Sequence, residues 1–303
     1  MKILITGHSG FVGQHLLAKS VLVNSPFELV VLPMEFDLHS VDSMAAALSG
    51  LNFDHVIHLA AQSNVPVSLS DPVDSFDVNV LGTVRLLEFL RKSKFTGRFL
   101  YVSSGDVYGI VDPLELPVTE STLVRPANPY AASKIAAETA ALSWGRQAGF
   151  EVIVARAFNH IGPGQSTAFA VPRFAQALAL IKQGALPPVL TTGRLDVTRD
   201  FLDVNDVVDA YLTLLIKGHH GEIYNICSGV ERSLSEVLNQ LIKLVGFEVQ
   251  LQQDPALMRP ADLPRMVGDA SKLRLHTGWL ARIPFPETLQ SVFSYFLQSQ
   301  PTK

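Results

Sequence analysis

Tyr130 and Lys134 are the residues of this sequence best placed to do chemistry. They stand four apart in Tyr130-Ala131-Ala132-Ser133-Lys134, directly behind Asn128-Pro129. Asn at the N-cap and Pro at the first helical position start a helix. Four residues is close to one turn, so phenol and ammonium share a face. An ammonium beside a phenol favours the phenolate and lowers its pKa from about 10, which makes Tyr130 a proton donor usable near neutral pH. The competing reading is a surface Tyr and Lys on an alanine-rich helix. A second set of hydroxyls, Ser103 and Ser104, opens Ser103-Ser104-Gly105-Asp106-Val107-Tyr108-Gly109 at the end of an apolar run. Either these point at a ligand beyond the carboxyl end of a strand, or they are plain turn residues. A third set is Gly7, Gly10 and Gly13, with Phe11 and Val12 between the last two. Glycines let a backbone turn tightly and approach a pyrophosphate, which the free N–H groups of a following helix can hold. The GxxGxxG spacing is one residue wider at its start than the usual dinucleotide fingerprint.

These groups need a frame. Apolar runs at 3–6, 29–32, 55–59, 98–103 and 151–155 alternate with helical patterns at 11–21, 41–48, 76–90 and 129–148. Strand and helix in alternation, with strands apolar throughout, predict a parallel sheet covered on both faces, an α/β doubly wound fold. The glycines then fall between the first strand and the first helix. After Asn159 the chain is broken by Gly162-Pro163-Gly164, Pro172, Pro187-Pro188 and a series of later prolines. This predicts a smaller, loop-rich C-terminal lobe, with the run 222–226 returning once to the main sheet. The expected division is a dinucleotide-binding domain at 1–158 with a returning segment at about 199–228, and a substrate lobe at 159–198 and 229–303. The second strand is followed by Pro33, Met34 and Glu35, where a ribose-binding acid belongs. Glu35 either holds a ribose hydroxyl, favouring NAD(H), or is a solvated charge, and no Arg stands there for a 2′-phosphate. Asp37, next to Leu38, either accepts a hydrogen bond from an adenine amino group or caps the following helix.

A chain of 303 residues that is 48% hydrophobic can bury one large core or two interlocked ones. Its formal net charge of -4 gives no general attraction for nucleic acid or an anionic membrane. A single cysteine, Cys227, excludes an internal disulfide and a cysteine zinc cluster, and the scattered histidines predict no metal. The apolar N-terminus is too short for a membrane helix and reads as a strand, so the expected compartment is the cytoplasm.

The motifs occur together and in order: TGHSGFVG at 6–13, Asp37-Leu38, HLAAQ at 58–62, DVNVLGT at 77–83, SSGDVYG at 103–109, YAASK at 130–134, ARAFNHIGPGQ at 155–165, TRDFLDVNDV at 198–207 and MRPAD at 258–262. The chain thus resembles the extended short-chain dehydrogenase/reductase (NAD-dependent epimerase/dehydratase) family along nearly its whole length. The resemblance implies a Rossmann-type sheet, NADP(H) or NAD(H) as cofactor with NADPH favoured, and a catalytic set of Ser104, Tyr130 and Lys134. Ser104 would bond the substrate oxygen, Tyr130 would exchange the proton, and Lys134 would hold the nicotinamide ribose. Asn79 would help order the site; Leu59, Ala60, Ala61, Ala157 and Phe158 would line the cofactor.

Within that family, SSGDVYG, ARAFNHIGPGQ and RDFLDV are similar to the members that reduce the C4 ketone of GDP-4-keto-6-deoxy-D-mannose to GDP-D-rhamnose. The related 4,6-dehydratases carry a polar acid after the catalytic Ser/Thr and then a Glu; here Gly105 and Asp106 stand there, which argues against elimination of water. The resemblance places Arg199, Arg259 and Asp262 at the GDP-sugar, with Asn159 and Arg173 as further candidates, and it implies a homodimer. A 4-epimerase, another 4-reductase, a dehydratase and a non-catalytic dinucleotide sensor are the competing readings.

Overall fold

The computed structural model describes residues 1–22, 26–33, 36–257 and 263–298. Strand β1 (Lys2–Thr6) leads through the glycine loop into α1 (Phe11–Ser20). Then follow β2 (Glu28–Val31), α2 (Val41–Leu48) and β3 (His55–His58). Two short helices, α3 (Val65–Ser70) and α4 (Pro72–Phe76), have Asn64 and Asp71 as side-chain N-caps. The chain continues through α5 (Gly82–Lys92), β4 (Arg98–Ser104), α6 (Pro129–Gly145) and β5 (Glu151–Ala157). These strands are apolar because both sheet faces are covered: six of the seven residues of β5 are buried.

Past Ala157 come β6 (Asn159–Ile161), α7 (Ala170–Lys182), β7 (Val189–Thr192), β8 (Thr198–Asp203) and α8 (Val204–Lys217). Strand β9 (Ile223–Ile226) leads to β10 (Glu231–Ser233), α9 (Leu234–Val245), β11 (Gln250–Gln253), α10 (Ser271–Thr277) and α11 (Phe285–Gln298). The main sheet has the order β2-β1-β3-β4-β5-β9, and every pair in it is parallel. This is the doubly wound, Rossmann-type sheet expected. Its order reverses between β1 and β3, the kind of switch point where such sheets bind ligands. As expected, the chain returns to this sheet once, as β9. Strand β8 pairs instead with β6 and β10 in a separate three-stranded sheet, and β7 with β11 in a two-stranded one.

One face of the main sheet packs Ile3, Ile5, Leu100 and Ala155 against Leu16 of α1 and Leu212 and Leu215 of α8. The other packs Leu4, Val56, Phe99 and Val154 against Leu86 and Leu90 of α5 and Ala137 and Ala141 of α6. A third core joins α7, α9 and α11 through Phe174, Leu241 and Phe293. No helix among the described residues is long and apolar enough to cross a membrane.

The long helix expected over 76–90 is not uniform. Between α4 and α5 the backbone widens into a π-helical turn at Asp77–Leu81, a feature that costs regular bonding and clusters at functional sites. Directly after it, Gly82 is obligatory in its packing, since a Cβ there would lie 2.8 Å from Leu38 Cβ. Helix α6 is tied down by a buried ion pair. Glu138 and Arg156 are 2% and 4% exposed, and Arg156 Nη2 and Nε donate to the carboxylate at 2.8 and 3.0 Å. Arg156 also donates to Tyr108 OH, which donates in turn to Asn225 Oδ1 at 2.6 Å. Removing one partner of such a pair strands a charge in the interior. Glu138→Leu is therefore expected to lower unfolding stability by about 3–5 kcal/mol, read as the midpoint of chemical denaturation; an unchanged midpoint would mean that Arg156 finds another partner or solvent.

Candidate functional site

A cleft of about 950 Å3 runs along the carboxyl ends of β1, β3, β4 and β5. It starts at the glycine loop. Gly7 has φ +76°, and a Cβ there would lie 2.7 Å from the Ala60 nitrogen; at Gly13 one would lie 2.4 Å from the Gly7 carbonyl oxygen. The turn therefore admits no side chain at these two positions, and it brings backbone to the edge of the cleft. Gly10 is the N-cap of α1 and has no side chain to cap it, so the first N–H groups of the helix face the cleft with the positive end of its dipole. Among the described residues lining the cleft, Lys134 is the one Lys or Arg. A pyrophosphate would accordingly be held by backbone N–H groups and the helix end rather than by side-chain cations, so these residues fit a dinucleotide.

Beneath the loop runs a buried polar chain. The Ala60 N–H donates to Thr6 Oγ1 at 3.2 Å, and Thr6 bonds His58 Nδ1 at 2.6 Å. His58 Nε2 meets Thr83 Oγ1 at 3.0 Å, and Thr83 donates to the Asn79 carbonyl in the π turn at 2.6 Å. The donors run one way only if His58 is neutral with its proton on Nε2. Burial, with Lys134 adding to it, pushes the His58 pKa down to about 3. The chain thus locks β1 to β3 and to the π turn without a mobile charge.

At the other end of the cleft stand the three side chains read as catalytic. Asn128 caps α6 by accepting from the Ala131 N–H at 2.8 Å, with Pro129 behind it as expected. Tyr130, Lys134 and Glu138 then follow at successive turns of one buried face. Ser104 ends β4, stands beside Tyr130, whose phenol pKa it lowers, and accepts from the Asp106 N–H at 3.2 Å. Lys134 is 4% exposed, with its ammonium 4.7 Å from the centre of the Tyr101 ring. Burial lowers its pKa to about 8 while Glu138 pulls it back up. The expectation that Lys134 would draw the Tyr130 phenol below its ordinary value is reversed: burial raises it, Asp106 raises it further, and only the Ser104 hydrogen bond lowers it. Tertiary packing removes the phenol from water, and a phenolate is disfavoured there. The shift favours the protonated phenol at Tyr130.

The cleft collects most of the residues singled out in the sequence. Gly7, Gly10, Phe11, Val12 and Gly13 line it, as do Asp37 and Leu38, Leu59 to Ala61, Ser104, Tyr130, Lys134 and Ala157 to Asn159. Asn79 does not line it. Its side chain accepts from the Gln62 N–H at 2.8 Å and donates to Ser133 Oγ at 2.9 Å, so it fastens the cleft wall to α6 from behind. Asp37 does not cap the next helix, since Ser40 is the N-cap of α2. Its carboxylate instead accepts from His39 Nδ1 at 2.8 Å, and His39 reaches Asp74 through Nε2 at 3.0 Å. Hydrogen bonds to these two carboxylates raise the His39 pKa.

Arg199 and Arg173 stand apart from the cleft lining. Arg199 donates to the carbonyls of Thr198 and Leu263, both at 2.7 Å, and Arg173 lies 5.9 Å from the Phe174 ring centre in the first turn of α7. Glu35, Arg259 and Asp262 fall outside the described residues. Sequence reasoning missed Gln62, Ser68 and Ser133. Ser68 Oγ accepts the Tyr130 N–H at 3.2 Å across 62 residues, a pairing that no local pattern announces. Gly105 lies against Phe158, where an added Cβ would sit 3.1 Å from the ring.

Comparison with known proteins places this architecture. A family model described as GDP-mannose 4,6-dehydratase matches residues 31–292. The chain is 44% identical over 293 residues to GDP-6-deoxy-D-mannose reductase of Pseudomonas aeruginosa, covering 97% of this chain and 96% of that one. It is 32% identical over 278 residues to GDP-6-deoxy-D-talose 4-dehydrogenase of Aggregatibacter actinomycetemcomitans, covering 90% of each. The structure of RMD from P. aeruginosa complexed with NADPH superposes with a TM-score of 0.93 at 42% identity, over 98% of both chains.

A lysine buried to this degree loses its charge early. If Lys134 contributes its ammonium to dinucleotide binding, the affinity for NAD(P)H is expected to hold below pH 8 and to fall as pH rises through about 8. Fluorescence titrations between pH 6 and 9.5 read this directly; a flat affinity across that range would remove Lys134's charge from binding.

Proposed function

The chain belongs to the extended short-chain dehydrogenase/reductase (NAD-dependent epimerase/dehydratase) family, matching its GDP-mannose 4,6-dehydratase model, and on that premise we propose that it reduces the C4 ketone of GDP-4-keto-6-deoxy-D-mannose to GDP-D-rhamnose with NAD(P)H. The observation that carries this reading is the meeting of Ser104, Tyr130 and Lys134 in one cleft beside a glycine cradle, in a chain so similar to the Pseudomonas reductase. The preference for NADPH over NADH rests on the likeness to the NADPH complex of that enzyme.

The glycine cradle would hold the pyrophosphate of a dinucleotide, whose reduced nicotinamide would supply the hydride. As negative charge develops on the C4 oxygen, Tyr130 donates its proton there, and its burial keeps that proton in place until then. Ser104, which lines the cleft with Tyr130, donates to the same oxygen and fixes its position. Lys134 would hold the nicotinamide ribose. Gly105 offers no acid to a leaving hydroxyl, which favours reduction over elimination of water. The division of labour is a dinucleotide-binding domain at 1–158 and a substrate lobe after it. In that lobe Asn159, which lines the cleft, faces the sugar, and the resemblance to the family assigns the diphosphate to Arg199 and Arg259, with Arg173 a further candidate, since guanidinium forks suit phosphate oxygens; Arg199 would have to leave the Thr198 and Leu263 carbonyls to reach it. The lone thiol, Cys227, is buried and asks for no oxidising compartment, in keeping with a cytoplasmic enzyme.

We assign the protein a homodimer through the α4–α5 surface. Val73 is 78% exposed, Leu81 50% and Phe76 40%, an apolar stretch that suits a self-complementary contact. Leu81→Glu is expected to shift the species seen by light scattering from dimer to monomer; a wild type that is itself monomeric at micromolar concentration would dismiss the interface.

The defining assay supplies GDP-4-keto-6-deoxy-D-mannose from a separate dehydratase and follows NAD(P)H oxidation, with the product identified by NMR. One cofactor consumed per GDP-D-rhamnose formed is the expected result. Sugar turnover with no net oxidation would mean epimerisation instead. Tyr130→Phe is expected to keep its cofactor affinity and lose at least about a hundredfold in turnover; an active Tyr130→Phe enzyme takes the phenol out of the mechanism.

A further inference from the structure

Two buried hydroxyls at the cleft have no hydrogen-bond partner among the described residues, Ser103 Oγ and Tyr211 OH. Both residues line the cleft, and both are almost wholly buried, Tyr211 at 0% exposure and Ser103 at 4%. They arrive from opposite faces of the main sheet. Tyr211 projects from α8 into the apolar cluster of Leu16, Leu100, Ala155 and Ala157. Ser103 follows Tyr101 by two residues on β4, and Tyr101 belongs to the cluster on the other face. A buried hydroxyl without a partner is a standing loss that phenylalanine in the same space would avoid. The ring of Tyr211 is surrounded by apolar side chains, so the cleft is the direction in which its hydroxyl can be satisfied.

We propose that Tyr211 is a cofactor-positioning residue: its hydroxyl donates to an oxygen of the bound dinucleotide, directly or across one water, and Ser103 makes a second such contact from the other face of the sheet. This rests on the cofactor reading above. The hydroxyl is a cost to the free chain and a gain only in the complex, so the two states must respond in opposite senses to its removal.

Tyr211→Phe tests this in the full-length chain. NADPH and NADH affinities are measured by fluorescence titration, and melting temperatures are recorded with and without cofactor. The expected result is a dissociation constant raised about three- to tenfold, the worth of one neutral hydrogen bond, with the cofactor-free chain melting no lower than wild type. The proposal fails if the variant binds as tightly as wild type, or if weaker binding comes with a lower melting temperature of the free chain, which a mere packing defect would produce. Should Tyr211→Phe not fold, Ser103→Ala decides, because it leaves the apolar packing around the Tyr211 ring alone; an unchanged affinity there fails the proposal as well. A wild type that binds neither NADPH nor NADH overturns the cofactor reading itself, an outcome distinct from equal binding by wild type and variant.

Discussion

The docking of α6 against β4 is the constraint on which the cleft depends. Tyr130 and Lys134 lie on one face of that helix, and a small rotation of it would carry both away from Ser104. Three separate fasteners prevent this. Ser68 bonds the backbone of Tyr130, Asn79 bonds Ser133, and the buried Glu138–Arg156 pair holds the next turn to β5. The fasteners come from α3, the π turn and β5, and the fastening side chains, Ser68, Asn79 and Arg156, are not themselves among the cleft-lining residues. The π turn has its use here. The Asn79 amide within it sits between the Gln62 backbone and Ser133, while its carbonyl takes the Thr83 hydroxyl.

Much of this was legible in the sequence, for a definite reason. The glycine loop, the Asn128-Pro129 start and the hydroxyls ending β4 are local patterns whose spacing encodes geometry, and each stands in the structure where that spacing puts it. What was not legible depends on contacts between distant segments. Nothing in the helical period over 76–90 records that the hydrogen bonds widen at Asp77–Leu81. Asp37 reads either as an acceptor for an adenine amino group or as a helix cap, and only the fold shows that Ser40 caps the helix instead. The direction of the Tyr130 shift is not legible, because sequence shows the neighbouring lysine but not how much water the fold removes from the phenol. Tyr211 reads as one more apolar position of a buried helix, and only the placement of its oxygen sets it apart.

The electrostatics of the cleft follow from the same economy of charge. With Lys134 as its one Lys or Arg among the described lining residues, the phosphate end depends on oriented peptide groups, which stay charged in effect at every pH and need no partner when the ligand leaves. Titratable groups line the cleft in more than one place, the Asp37–His39 pair as well as Tyr130, Lys134 and Asp106. Tyr130 and Lys134 differ from that pair in being buried, and charges removed from water interact more strongly than they do in solvent.

The contact between Gly105 and Phe158 reaches further than the missing acid. Phe158 belongs to the cluster of Val107, Tyr108, Val118 and Met266, and its ring occupies the space into which any side chain at position 105 would grow. An added Cβ there meets the ring at 3.1 Å, so any side chain at position 105 asks Phe158 to yield by a few tenths of an ångström within a packed interior. The packing of a hydrophobic core thus bears on which residue can stand beside Ser104. A lineage that acquired an acid at that position would have to adjust core and site together.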